Sequence, residues 1–287
     1  MNREVIIYGF AGAVGLTAAA TGVYFLRKKL LQRCSKNPYE DSKMVNEYLG
    51  LHYCPPEEYM SYEEGPKSAL DFPLRCAQLC IKHKPEDVPS RALDIGCAVG
   101  RSTFELATEF EEVVGIDYSS AFIAKCQQLK ITGESEYSLT VEGDIVEKKN
   151  AQVHPNINRT RAHFMVEDAC SLPELGQFSC VLAANLICRL PDCTLFLNRL
   201  PGMVIPGGIV VFTNPFTWLE QYTPKSKWLG GYVDKNGVEV RGFDALCRIL
   251  SPDFELVEQE NMPFLIRETV RKHQWTVAHA SVWRRKK

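Results

Sequence analysis

The sequence predicts an α/β fold, a doubly wound, mostly parallel sheet of seven strands preceded by an N-terminal transmembrane helix. Seven apolar runs alternate with helical patterns after residue 71. Continuous apolar strands of this kind are typical of parallel sheets covered by helices on both faces. A turn with glycines at 96 and 100 joins the first run to a helix. An uncharged stretch of 22 residues, Val5–Leu26, has the length that crosses a hydrocarbon core of ~30 Å.

The composition is that of a folded protein and gives no support to a nucleic-acid binder. Of the 287 residues, 45% are hydrophobic and 24% are charged, and the formal net charge is −2. A nucleic-acid-binding protein usually shows a basic excess. The 11 cysteines are odd in number, and no pair has C-x-x-C spacing. We therefore predict reduced thiols facing the cytosol, with neither a disulfide framework nor a metal site.

Residues 1–30 are predicted to be a membrane anchor with a basic flank. Arg27, Lys28 and Lys29 directly follow the apolar stretch, so the positive-inside rule places the folded body in the cytosol. The expected location is single-pass in the endoplasmic reticulum or mitochondrial outer membrane, and the sequence leaves both open. A cleaved signal peptide, which carries its basic residues before the apolar run, and a buried core helix are the alternatives. Residues 31–71 are predicted to be a linker and lid over the active site, and residues 72–287 the catalytic domain.

Each element of the body has a local reason. The strands are apolar runs that end at glycine or a polar residue, predicted at 91–95, 113–117, 163–166, 178–185, 209–213, 254–258 and 277–283. The helices have apolar residues at helical spacing and are predicted at 42–51, 74–82, 102–110, 120–129, 195–203 and 243–250. Ser102 has the hydroxyl of a good N-cap, and Pro206-Gly207-Gly208 ends the helix before the fifth strand. Polar residues 133–160 are predicted to loop out.

Carboxylates and glycines follow the first three strands in an order that indicates a nucleoside-containing ligand. Gly96 and Gly100 allow a close backbone approach where a ligand crosses the carboxyl ends of parallel strands. A hydride-transfer cofactor favours G-x-G-x-x-G, whose middle glycine is missing, and Asp94 before the loop does not suit a diphosphate. Asp117 ends the second strand, where a carboxylate accepts from both ribose hydroxyls. Asp168, just past the third strand, supplies an acceptor for an adenine amino group.

This arrangement resembles the class I S-adenosylmethionine-dependent methyltransferases, which have a Rossmann-like sheet. The motifs LDIGCAVG, VVGID, EDA and VIPGG carry the resemblance over residues 72–285. It implies that Gly96 and Gly100 form the loop under the methionine part, with Asp94 ordering that loop and Cys97 fitting beside it as a small residue. It also implies that Asp117 binds the ribose and that Asp168 and Ala169 bind the adenine.

Further stretches resemble the methyltransferase domain of ovothiol-biosynthesis enzymes, which methylates a ring nitrogen of 5-thiohistidine (4-mercaptohistidine). These stretches run from residue 39 to residue 285 and are YEDSKMVNEY, DFPLRCA, ANLICR, TNPFTW, WLGG and PFLIRET, followed by WRR. Members of that family often carry an iron-dependent domain that attaches sulfur to histidine, for which this chain has no length. The expected substrate is therefore thiohistidine from a separate sulfur-inserting enzyme, or a related imidazole amino acid.

The chemistry requires alignment more than strong catalysis, because the sulfonium is an activated donor and a neutral imidazole nitrogen is a competent nucleophile. Asn185, after the fourth strand, is the candidate for orienting the ring, and Arg189 for pairing with the substrate carboxylate. Aromatic walls suit an imidazole or a sulfonium. The candidate substrate-binding residues are Tyr39, Asn46, Tyr48, Trp218, Tyr222, Trp228, Arg267 and Glu268. Each also has an ordinary structural reading as a strand cap, a surface arginine, a core aromatic or an internal ion pair.

Other functions stay open at this point. The acceptor is alternatively a histidine of a protein, or a lipid or quinone presented at the membrane. A binding scaffold that keeps the cofactor without catalysis is the alternative from a different class. A dehydrogenase is disfavoured by the missing middle glycine.

Overall fold

The computed structural model describes residues 37–287. The predicted transmembrane segment, residues 5–26, lies outside this range and stays a prediction. Within residues 37–287, no helix combines the length and the apolar character needed to cross a membrane.

A mixed sheet of seven strands lies at the centre, as the sequence predicts. Its strand order is β10-β11-β7-β6-β1-β2-β5. The pairs among β5, β2, β1, β6 and β7 are parallel, whereas β11 is antiparallel to both of its neighbours. The last two strands extend well beyond their predicted bounds. The eleven described strands are β1 Arg91–Ile95, β2 Glu112–Asp117, β3 Glu134–Glu142, β4 Ile145–Gln152, β5 Ala162–Val166, β6 Phe178–Ala184, β7 Val204–Asn214, β8 Tyr232–Val233, β9 Glu239–Val240, β10 Phe254–Arg267 and β11 His273–Arg285.

Helices cover both faces of this sheet. Alternate residues of β1 show the two layers, because Ala92 packs into one core cluster while Leu93 and Ile95 pack into the other. A strand buried on both faces has no polar side, which is why its sequence is continuously apolar. The described helices are α1 Ser42–Tyr53, α2 Pro56–Tyr59, α3 Phe72–Lys82, α4 Arg101–Leu106, α5 Ser120–Thr132, α6 Cys193–Leu197, α7 Leu200–Met203 and α8 Gly242–Leu250.

Two predicted helices differ from the observed ones. The helix after the glycine loop starts one residue early, with Gly100 at the N-cap, and the hydroxyl of Ser102 donates to the carbonyl of Pro73 at 2.9 Å instead of capping. The helix predicted at 195–203 is divided into α6 and α7. Pro201 lies in the first turn of α7, where the missing N–H of proline is tolerated, whereas it would break a continuous helix.

The prediction of a loop at 133–160 is wrong for most of its length. Residues 134–152 form the antiparallel hairpin β3–β4. Tyr137, Leu139 and Ala151 are buried, whereas most residues between them are polar and the apolar Ile145 and Val146 are exposed. The spaced apolar residues cover the helices beneath, since Leu139 also lies against Gly50 of α1. A high polar content concealed this alternation, which is the usual signature of a half-exposed strand.

Candidate functional site

A cavity of about 380 Å³ opens at the carboxyl ends of the parallel strands. It lies where the strand order changes direction, since β1 has β2 on one side and β6 on the other. Ligands of open α/β sheets bind at this switch point. Most predicted cofactor residues line the cavity: Asp94, Gly96, Cys97, Asp117, Asp168 and Ala169.

The glycine loop forms the floor of the cavity. Gly96 and Gly100 have φ values of +76° and +85°, a left-handed backbone that favours glycine. A Cβ at Gly96 would come 3.0 Å from Leu186, and one at Gly100 would come 3.0 Å from Cys126 and Phe164. Gly100 does not line the cavity, so its role is to let the loop pack closely. Cys97 is buried beside the loop as a free thiol.

The buried side chain of Asp94 holds α4, the helix that follows the glycine loop. Its side chain is 1% exposed, and its Oδ2 accepts from the hydroxyl of Thr103 at 2.7 Å. Burial raises the pKa of Asp94 to about 7, although the Thr103 hydrogen bond acts to lower it. Asp94 therefore orders the glycine loop indirectly, because its hydrogen bond holds α4 and does not go to the loop backbone.

Asp117 joins the glycine loop to the helix that follows β2. Its Oδ2 accepts from the backbone N–H of Ala98 at 3.0 Å, and its Oδ1 accepts from that of Ser119 at 2.8 Å. Each carboxylate oxygen has two lone pairs, so both oxygens retain an acceptor site for a ligand hydroxyl. Burial raises the pKa of Asp117 to about 6, against the effect of these backbone bonds.

We expect ligand affinity to fall below about pH 6 because of Asp117. Ribose hydroxyls donate to the ionised carboxylate, so binding requires that the proton be lost. The dissociation constant of S-adenosylhomocysteine should rise by up to about tenfold per pH unit below this pKa and be flat above it. Isothermal titration calorimetry between pH 5 and pH 8 measures this, and Asp94→Asn should keep the dependence. A flat profile across pH 6 would exclude the assignment to Asp117.

The raised pKa of Asp117 also makes the stability of the fold depend on pH, in the opposite direction to ligand binding. The folded pKa of Asp117 lies above the ordinary value of 3.8. The contribution of this group to stability is therefore complete below that ordinary value and is lost as the pH rises through about 6.

The predicted adenine residues follow β5. Asp168 and Ala169 line the cavity. Oδ1 of Asp168 accepts from the backbone N–H of Cys170 at 2.8 Å, which fixes the turn. Because β5 is the edge strand beside β2, this end of the cavity continues directly from Asp117.

Asn185 and Arg189 lie on the opposite side of β1. Asn185 follows β6 with a φ of +52°, which is uncommon for a residue with a side chain. The hydroxyl of Thr213 donates to its Oδ1 at 3.1 Å. The guanidinium of Arg189 lies over the ring of Tyr222, 4.9 Å from the centroid, and its Nη1 donates to the carbonyl of Thr217 at 2.9 Å. Both residues line the cavity.

Part of the segment before the sheet lines the cavity, whereas residues 31–36 of the predicted linker and lid lie outside the described residues. Tyr39 stacks on Tyr222 with centroids 6.3 Å apart and meets Tyr48 edge-on at 5.9 Å, and all three line the cavity. The carboxylate of Glu40 holds this segment to the start of α5, because it accepts from the backbone N–H and the hydroxyl of Ser120.

Five predicted substrate residues lie away from this cavity. Asn46 accepts from the backbone N–H of Ser138 and so fixes the β3–β4 hairpin. Trp218 and Trp228 stack on each other, 6.5 Å between centroids, and pack into a core cluster. Arg267 is buried and donates to the carbonyl of Glu58, whereas Glu268 pairs with Lys272 at 2.6 Å. The structure thus gives each of them a structural partner.

His52 lines the cavity but was missed by sequence reasoning. It is the next-to-last residue of α1, and no motif surrounds it. Its position follows from the packing of α1 on the glycine loop, where the hydroxyl of Tyr53 donates to the carbonyl of Val99 at 2.8 Å. Contacts between segments so distant in sequence have no local signal.

The fold and this site define a Rossmann-like α/β protein that binds a nucleoside-containing ligand. Residues 93–212, from β1 to β7, match the family model described as a methyltransferase domain. No curated protein sequence matches the chain. The residues matched span the glycine loop, Asp117 and the adenine turn. This part of the chain is thus similar to a methyltransferase domain, and S-adenosylmethionine is the cofactor.

Solved structures agree on the fold. The [4+2]-cyclase SpnF has a TM-score of 0.50 and 15% identity, with 85% of this chain and 96% of that chain covered. The N-methyltransferase NodS from Bradyrhizobium japonicum, in complex with S-adenosyl-L-homocysteine, has a TM-score of 0.46 and 15% identity over 86% of this chain and 100% of its own. Magnesium protoporphyrin IX methyltransferase from Synechocystis, with bound S-adenosylmethionine, has a TM-score of 0.47 and 13% identity, with 86% of this chain and 98% of that chain covered. The similarity to SpnF supports the fold alone and leaves the methyl acceptor open.

The residues present fit S-adenosylmethionine. The cavity volume lies in the usual range for small-ligand sites, ~300–1,000 Å³. The floor at Gly96 has no side chain that would obstruct a ligand, and a carboxylate with free lone pairs stands at Asp117.

Proposed function

We propose that the protein is an S-adenosylmethionine-dependent N-methyltransferase that methylates an imidazole ring nitrogen of a small histidine derivative such as 5-thiohistidine. The observation that carries this proposal is the guanidinium of Arg189, which stands over the ring of Tyr222 in an aromatic part of the cavity. An amino acid with a planar ring presents the two groups that this arrangement suits, a carboxylate and an aromatic face.

Arg189 supports the carboxylate part of the proposal. Among residues 37–287, no carboxylate lies within ion-pair distance of it. Nη1 is held by backbone carbonyls, while Nε and Nη2 form no hydrogen bond with the described residues. A partly buried guanidinium without a counter-charge favours an anion, and its two free N–H groups suit the two oxygens of a carboxylate.

The three tyrosines support a small, flat substrate. Tyr39 and Tyr48 come from the segment that covers the cavity, and Tyr222 comes from the loop after β7. The ring of Tyr39 contacts those of Tyr48 and Tyr222, beside the guanidinium of Arg189. Aromatic faces next to a cation favour a substrate with a flat ring and an anionic group.

Asn185 supports alignment of the ring. The hydroxyl of Thr213 occupies one lone pair of its Oδ1 and fixes the amide. The second lone pair accepts from one ring N–H, so the other ring nitrogen presents its lone pair to the methyl group. The bound sulfonium supplies the activated methyl. As the N–C bond forms and the S–C bond breaks, the ring takes up the positive charge, and its N–H proton passes to water after release.

The origin and location of the substrate are part of the proposal. A separate sulfur-inserting enzyme would supply thiohistidine. The predicted single-pass anchor at residues 5–26 would hold the catalytic domain at the cytosolic face of the endoplasmic reticulum or the mitochondrial outer membrane.

Methyl transfer from labelled S-adenosylmethionine tests the proposal. The full-length chain is offered histidine, 5-thiohistidine, lysate protein and membrane lipid in parallel. We expect label in 5-thiohistidine at a ring nitrogen, at least about tenfold above histidine. Label confined to protein or lipid would refute the substrate and retain the methyltransferase. A reaction without the protein serves as the control, and label that persists there would show contamination.

A further inference from the structure

One end of the cavity lies beyond the glycine loop and is formed by His52, Pro73 and Ser102. Arg101 holds His52 there through one hydrogen bond to the ring and one to the backbone carbonyl. The backbone N–H of Arg101 donates to Nδ1 at 3.4 Å, and Nη1 of Arg101 donates to the carbonyl of His52 at 3.4 Å. The ring therefore moves with the start of α4 and with the loop that precedes it.

The hydrogen bond at Nδ1 determines which ring nitrogen carries the proton. Because Nδ1 accepts, the proton of the neutral ring is on Nε2. Nε2 forms no hydrogen bond with any residue in the range 37–287. Burial lowers the pKa of His52 to about 3, so the ring is neutral at physiological pH. The ring thus presents one N–H donor without a protein partner at the cavity.

The neighbouring donors are already occupied. The hydroxyl of Ser102 donates to the carbonyl of Pro73 at 2.9 Å. Nε of Arg101 donates to Glu105 at 2.6 Å and its Nη1 to the carbonyl of His52, and Arg101 does not line the cavity. His52 Nε2 is therefore the free side-chain donor at this end of the described cavity.

The strand order identifies which part of the ligand reaches His52. Asp168 and Asp117, which are predicted to bind adenine and ribose, lie on the side of β5 and β2, and Asn185, which is proposed to orient the acceptor, lies on the side of β6. The amino-acid part of the cofactor then extends over the glycine loop. We infer that Nε2–H of His52 donates to the carboxylate of the methionine part of S-adenosylmethionine. This role is independent of which acceptor is methylated.

Calorimetric binding of two ligands to the full-length chain tests this inference. The ligands are S-adenosylhomocysteine and its decarboxylated analogue, which lacks only the carboxylate. His52→Phe keeps a ring without the donor, and His52→Gln keeps a neutral N–H donor. We expect His52→Phe to lower the affinity for S-adenosylhomocysteine about tenfold to 100-fold, because a hydrogen bond to a charged group is lost. The affinity for the decarboxylated analogue should fall less than about threefold, because the analogue lacks that group. His52→Gln should restore most of the difference.

Equal weakening of both ligands would show that His52 only supports the loop, and this would overturn the inference. Unchanged affinity of both ligands would overturn it as well. Circular dichroism and thermal unfolding of the ligand-free variants show whether the fold is intact. Since the assay measures cofactor binding alone, its failure is distinct from a failure of the proposed acceptor, which only the methyl-transfer experiment reports.

Discussion

Asp117→Ala is expected to weaken binding of S-adenosylhomocysteine at least 100-fold while the chain stays folded. The carboxylate stands at the end of β2, with one free lone pair on each oxygen for a ribose hydroxyl. Each hydrogen bond to a charged group contributes about 1.5–3 kcal/mol, so losing two corresponds to about 100-fold or more. The substitution also removes the acceptor of the Ala98 N–H, which loosens the glycine loop and acts in the same direction.

Two further variants separate these effects. Asp117→Asn keeps the shape of the side chain and one oxygen, so its loss of affinity measures mainly the charge. Glu112→Gln is the matched control, because Glu112 begins the same strand and pairs with Arg91 at 2.8 Å, away from the cavity. Calorimetry gives the affinities, and thermal unfolding checks the fold. Near-normal affinity of Asp117→Ala would defeat the ribose assignment, and unfolding would make Asp117→Asn the deciding variant.

The cofactor half of the site was predictable because its residues lie at the ends of strands that the sequence makes visible. Asp94 is the next-to-last residue of β1, Gly96 directly follows β1, and Asp117 ends β2. Parallel strands bring such ends together at one edge of a sheet. The backbone of the sheet therefore brings these residues together, whatever the conformations of their side chains. The five parallel strands were predictable because they are mostly apolar runs buried in the sheet, whereas β10 and β11 contain many exposed polar residues and their ends were missed.

The acceptor half was less predictable, because its walls come from segments outside the sheet. Tyr39 and Tyr48 reach the cavity only through the docking of the first helix, whereas Trp218 is turned into the core beside Trp228. In the sequence, an aromatic residue in a loop looks the same whether its side chain lines a cavity or packs into the core. Arg267 illustrates the same ambiguity, since its burial against the carbonyl of Glu58 follows from the long β10–β11 hairpin and not from its neighbours.

Arg189→Met should raise the KM for 5-thiohistidine about 30-fold to 100-fold and leave the affinity for S-adenosylhomocysteine within about twofold. The substitution removes the charge and both free N–H groups while it keeps most of the side-chain length over Tyr222. A charge-assisted pair with a carboxylate contributes about 2–3 kcal/mol in a partly buried site, and this gives the stated range. Because the cofactor contacts lie on the other side of β1, cofactor binding should not respond.

A substrate without the carboxylate decides whether this contact exists. For 5-thiohistamine, KM should be high in the unaltered protein and should not rise further in Arg189→Met, since the group that Arg189 binds is already missing. Arg241→Gln is the surface control, as Arg241 pairs only with the exposed Glu239. An equal rise in KM for both substrates would make Arg189 a structural support of Tyr222. Unchanged KM for both would remove Arg189 from the acceptor site, and with it the main argument for an amino-acid substrate.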